Sequence, residues 1–155
     1  MENRRFQLGM LILFALLASG FAQDQIPKRK YVTTYVNNND APKVDGMLDD
    51  ASWSQVEWSG DYVEWSPDEN TEPTEETKLK ILYDDKYLYV AFRCYDRDPK
   101  GVVRRLSRRD GFDGDWVEIN IDSFHDLRTA FSFTVSASGV RGEEFISNNG
   151  ASWDN

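Results

Sequence analysis

The feature that most constrains this chain is a pair of apolar runs between Leu79 and Tyr95, separated only by the acidic turn Asp84-Asp85-Lys86. Two such runs around a short polar turn predict a β-hairpin. Side chains alternate along a strand. Leu88, Val90, Phe92 and Cys94 therefore fall on one face, and Tyr87, Tyr89, Ala91, Arg93 and Tyr95 on the other. Both faces are partly apolar, which predicts a central strand covered on both sides. Cys94 is then expected to be a buried, inert thiol.

Other segments repeat the two-residue period. Tyr31 to Val36 is rich in aromatic and β-branched residues and is read as a first strand. Trp116 to Asp122 alternates, with Val117, Ile119 and Ile121 on one side and Trp116, Glu118, Asn120 and Asp122 on the other. Phe131, Phe133 and Val135 mark the core face of a further strand, Ser138-Gly139 turns the chain, and Glu143 to Ile146 starts another strand. Only Leu48 to Trp53 looks helical, as a single turn capped by Asp49 or Asp50, with Trp53 as a core plug. Asp45-Gly46 reads as a tight turn in which glycine takes a positive φ. Asp96 to Asp115, carrying Arg104-Arg105 and Arg108-Arg109, is read mainly as a long loop, and 66–77 as another. Short strands with turn signals between them indicate an all-β fold, a sandwich or barrel.

The ends carry different information. Arg4-Arg5 precede an apolar run from Leu8 to Ala18, and Gly20-Phe21-Ala22 supplies small residues at the −3 and −1 positions. That pattern predicts a signal peptide over residues 1–22, cleaved after Ala22, because a spanning helix needs roughly 20 apolar residues. The mature chain is expected to be exported, to the periplasm or the outer membrane of a Gram-negative bacterium. Residues 23–40 form a lead-in with the first strand, and 41–155 one domain. Gly150 to Asn155 reads like mid-domain sequence, so this sandwich is expected to be incomplete at its C-terminus. The acidic balance, with 27 Asp and Glu against 18 Lys and Arg, argues against nucleic acid as a partner. A single cysteine allows no intramolecular disulfide, and no zinc-ligand spacing is present.

Val44-Asp45-Gly46-Met47-Leu48-Asp49-Asp50-Ala51-Ser52-Trp53 resembles the V-D-G-x-L-D-x-x-x-W opening of the family 9 carbohydrate-binding modules. Thr77 to Asp96 is similar to that family's hairpin, and Asp115 to Asp122 to its D-x-V-E-x-x-x-D strand. The resemblance implies a two-sheet antiparallel β-sandwich (jelly-roll or DOMON-like) that binds sugar and performs no chemistry. It looks closest to modules at the front of large exported bacterial proteins, whose long C-terminal region is poorly understood and thought to be a membrane β-barrel. The implied partners are an oligo- or polysaccharide and the remaining C-terminal part of the same protein. The family's first stacking aromatic falls on Phe112 and its hydroxyl-binding glutamate on Glu118. Its arginine on the next strand would fall near Ser132 or Thr134, neither of them basic, and its second aromatic lies beyond Asn155.

The chemistry of the residues points the same way. A sugar presents an apolar C–H face, which stacks on an aromatic ring, and hydroxyls, which need acceptors and donors. Phe112, Trp116 and Glu118 are therefore the candidate ligand-binding residues. Trp65 is an even choice between core and platform. Arg93 is expected either to pair with Glu118 or Asp122 or to meet a ligand. Asp96, Asp113 and Asp115 bracket the long loop and are candidate oxygen ligands for Ca²⁺, the one cofactor the pattern suggests. No catalytic residues are assigned. Asp115 and Glu118 are spaced so that a strand would point them to opposite sides, and His125 stands alone. Two functions remain open: a glycan-binding module of a polysaccharide-binding or polysaccharide-degrading protein, or a sandwich that docks on the rest of a larger envelope protein.

Overall fold

The structure is a computed structural model and describes residues 28–150 and 152–154. The signal-peptide segment, 1–22, lies outside the described residues. Tyr31 to Asn155 forms one compact unit. Its strands are β1 (Thr34–Tyr35), β2 (Thr77–Tyr83), β3 (Leu88–Cys94), β4 (Trp116–Ile121), β5 (Ala130–Ser136), β6 (Arg141–Ser147) and β7 (Ser152–Asp154). They build two sheets, β1-β2-β3 and β4-β5-β6-β7, in a β-sandwich. All pairs are antiparallel except β1–β2, which is parallel. A parallel neighbour needs a crossover of about a dozen residues or more, and the excursion from Val36 to Glu76 supplies it.

The hairpin forms where the alternation predicts it, and Asp84 fixes its turn. One carboxylate oxygen of Asp84 accepts the amide protons of Lys86 and Tyr87, both at 2.7 Å, and the other accepts the Tyr89 hydroxyl at 2.8 Å. These donors, the Lys86 amide foremost, hold the Asp84 carboxyl below its ordinary value. Asp126 does the same between β4 and β5. It accepts the amides of Arg128 and Thr129, both at 2.8 Å, which again lower its carboxyl.

The core lies on one side of the first sheet. Leu82, 0 % exposed, and Ala91 pack there with Val36, Val56 and Trp53, flanked by Leu48 and Tyr89. Fully burying a leucine side chain stabilises a fold by about 1.5–3 kcal/mol. Trp53, 7 % exposed, is the expected plug and sits on a 3₁₀ turn, Ala51–Gln55. Asp50 occupies the N-cap position, but its side chain does not cap the turn. Its carboxylate accepts the Lys43 amide at 3.0 Å instead, which ties down the preceding loop. Gly46 takes a φ of +84°, as the tight turn requires, and Asp45 accepts the Met47 amide at 2.9 Å.

Two expectations about β3 are corrected. It is the edge of its sheet, and β2 is the central strand. Its apolar faces are accounted for without central placement, since Ala91 and Tyr89 face the core while Leu88, Val90 and Phe92 line the space toward the other sheet. Cys94 is exposed rather than buried, at the end of an edge strand.

Candidate functional site

The second sheet carries two faces of opposite chemistry. On one, Val117, Ile119, Ile121, Phe133 and Val135 line a cleft of about 540 Å³ shared with Leu88, Val90 and Phe92 of β3. Phe133 and Val135, expected in a core, are 50 % and 46 % exposed. On the other face the register aligns Glu118 of β4 with Thr134 of β5 and Gly142 of β6. The next row aligns Asn120, Ser132 and Glu144. Ser132 and Thr134 are buried. The polar residues of β5 are thus covered and the apolar ones open.

What covers the polar face is the long loop before β4. Val103 and Asp115 tie its base: the Asp115 amide donates to the Val103 carbonyl at 3.1 Å, and the Asp115 carboxylate accepts the Val103 amide at 2.8 Å. Its tip is pinned to β6. The Asp110 amide donates to the Arg141 carbonyl, the Asp110 carboxylate accepts the Glu143 amide, and Arg109 pairs with the Glu143 carboxylate. These bonds set Phe112 down on Gly142. A Cβ at position 142 would stand 2.5 Å from Cζ of Phe112 and 2.9 Å from Cε2, so only glycine admits the ring.

Phe112 therefore lies on the same face as Trp116 and Glu118, the pair that strand alternation places together. The rings of Phe112 and Trp116 lie 6.1 Å apart, tilted by 41°. Trp116 is 50 % exposed and is the open platform, whereas Phe112 is half-buried against β6. Glu118 is half-buried, and its two oxygens are held by Nδ2 of Asn120 at 2.8 Å and Oγ1 of Thr134 at 3.1 Å. Each carboxylate oxygen can accept a further proton. Sequence reasoning placed Asn120 on the side of Glu118 but singled out neither it nor Thr134, Glu144 and Gly142 as members of this strip. Their shared face was readable from alternation, but their alignment comes from strand register.

Other expectations resolve differently. Arg93 meets neither Glu118 nor Asp122, because it stacks 5.0 Å from the Trp58 ring centroid on the first sheet. Trp65 is exposed. The candidate calcium ligands are not brought together. Asp96 accepts the Asp98 amide, Asp113 pairs with Arg105, and Asp115 holds Val103. Among the described residues no group of three or more His, Cys, Asp or Glu side chains is placed to hold a metal ion. These carboxylates stay with local backbone and arginine donors.

No curated protein and no solved structure matches the chain. A family model does. The model for the carbohydrate family 9 binding domain-like proteins covers residues 44–151, which include every strand from β2 to β6 and the whole Phe112–Glu118 strip. With carbohydrate as the general class of partner, the chain belongs to the carbohydrate family 9 binding domain-like family.

Proposed function

We propose that this domain is a non-catalytic glycan-binding module of an exported protein, with its sugar site on the polar face of β4, β5 and β6. The observation that carries this reading is the placement of an open indole, Trp116, beside a carboxylate already oriented by two donors. The C–H face of a pyranose would stack on Trp116, with Phe112 as its lateral wall. Ring stacking of this kind contributes about 0.5–1.5 kcal/mol beyond the area it buries. Glu118 would accept hydroxyl protons, and Asn120 and Glu144 would extend the polar strip. Positively charged side chains do not enter it from β5, so hydroxyls, rather than a charged substituent, are what this strip fits. Export rests on the Arg4-Arg5 segment, the apolar run and the Ala22 cleavage motif. A periplasmic or outer-membrane location follows, with the module serving a larger protein that binds or degrades polysaccharide.

A second reading is favoured by one observation, the open apolar cleft between the sheets. Exposed apolar area of this kind suits docking against further polypeptide of the same protein. An affinity-gel screen against neutral polysaccharides separates the two. Retardation that Trp116→Ala and Glu118→Gln each reduce at least tenfold supports the glycan site. A folded protein that no polysaccharide retards overturns it and leaves docking as the function.

A further inference from the structure

The first sheet holds a second polar cavity, remote in sequence from the Phe112–Glu118 strip. It has a volume of about 330 Å³ and is lined by Asp49, Asp50, Trp53, Ser54, Trp58, Lys80 and Arg93, with Leu48 and Ala51. That is the low end of the range for small-ligand pockets. Lys80 and Arg93 come from adjacent strands: Lys80 faces Ala91 across the ladder, two positions along β3 from Arg93. Both cations close on one indole. Nζ of Lys80 lies 4.9 Å and the Arg93 guanidinium 5.0 Å from the Trp58 ring centroid.

Neither cation is neutralised. Lys80 donates to the backbone carbonyl of Trp53 at 2.6 Å, and neither Lys80 nor Arg93 has a carboxylate within ion-pair distance among the described residues. This occurs in a chain of formal net charge −9, where acidic partners outnumber bases. The indole quadrupole attracts both cations but carries no net charge, so it does not neutralise them. Trp53 also lines the cavity. Trp53 is 7 % exposed, and its Nε1 is buried with no partner. The opposite character is supplied by Asp49 and Asp50. Asp50 already accepts the Lys43 amide, and both residues line the cavity without an ion pair to Lys80 or Arg93 among the described residues. The cavity lining therefore combines two cationic donors with two acidic acceptors.

We propose that this cavity binds a sugar acid, its carboxylate against Lys80 and Arg93 and its hydroxyls donated to Asp49 and Asp50. A simple anion would leave the two acidic residues without a donor, and a neutral sugar would leave the two cations without a counter-charge. A hydroxylated carboxylate matches both sets of groups. The inference uses no residue of the Phe112–Glu118 strip, so the two sites stand or fall separately.

The test is a titration of the ¹⁵N-labelled chain with D-glucuronate, with glucose and acetate as parallel probes, following the tryptophan indole N–H resonances. Glucuronate is expected to shift the Trp53 and Trp58 resonances saturably, at least fivefold more tightly than acetate, with no saturable response to glucose. Arg93→Gln is expected to weaken glucuronate at least fivefold, and added salt to weaken it further, while Trp116→Ala leaves it unchanged. Among the described residues the Arg93 side chain makes no hydrogen bond that its loss would break, and an unchanged circular dichroism spectrum confirms the variant is folded. Equal response to glucose, equal affinity for acetate, an Arg93→Gln variant that binds glucuronate normally, or no shift at all would each overturn the proposal. None of these outcomes bears on polysaccharide retention at Trp116 and Glu118.

Discussion

The two faces of β5 differ in the reverse of the usual sense. Ser132 and Thr134, on one side, are buried, while Phe131, Phe133 and Val135, on the other, are 38–50 % exposed. Nothing within the strand produces this. The hydroxyl side is covered because a loop of arginines and aspartates is tied across it and seats Phe112 on Gly142. The phenyl side faces a cleft that the first sheet only partly fills. Alternation sorts side chains into two sets, but it does not say which set a neighbouring segment will cover. In this domain the loop that makes the covered face also delivers the aromatic residue of the candidate sugar site, so burial and site assembly are one event.

The comparison can be broken most directly at Gly142. Gly142→Val should force Phe112 off β6, cost about 1–3 kcal/mol as an overpacked contact, and reduce glycan retention at least tenfold. Urea unfolding and affinity gels measure the two effects, and an unperturbed protein would mean the loop is not seated there. Thr134→Val keeps the shape and removes the hydroxyl that holds Glu118. A loss of about 1 kcal/mol is expected by the same unfolding measurement, with weaker glycan binding. On the open face, Phe133→Thr should cost less than about 1 kcal/mol, because a half-exposed ring gives up little burial. A loss near that of a fully buried phenylalanine, about 3 kcal/mol or more, would reveal that the cleft is closed in solution. Ser132→Ala should be neutral or stabilising by a few tenths of a kcal/mol, since Ser132 Oγ is buried with no partner.

The hairpin turns give the gentlest test, and its sign is fixed. The carboxyls of Asp84 and Asp126 are lowered in the fold from an ordinary value of 3.8. Their contribution is therefore present above that value and is lost as pH falls through the lower, folded one. Stability followed by urea midpoint should decline below about pH 4, and Asp84→Asn should flatten part of that slope.

Much of the framework was legible because it is local. The hairpin, the alternation of β4 and β5, the turn at Gly46 and the Trp53 plug each depend on residues within a few positions of one another. The placement of Phe112, Trp116 and Glu118 on one face was legible too, through family resemblance and strand period together. What failed turned on which partner each side chain found. Asp50 looked like a helix cap, yet its carboxylate found the Lys43 amide. Arg93 was weighed against Glu118 and Asp122, yet the two strands lie in different sheets, and Trp58 took it. The aspartates proposed for calcium share a loop in sequence but are drawn to separate donors.

The sequence by itself determined the all-β class, the hairpin, the polar and apolar sides of each strand, and which residues are candidates to stack on a sugar or accept its hydroxyls. These follow from a two-residue side-chain period and from short-range turn chemistry, both written along the chain. Only the tertiary structure decided that β3 is an edge, that Cys94 is open, that Glu118, Thr134 and Gly142 form one row, and that Lys80 and Arg93 meet over Trp58. Those outcomes depend on register and on which loop crosses which face. They are set by the free energy of contacts between residues far apart in sequence, which no local period encodes.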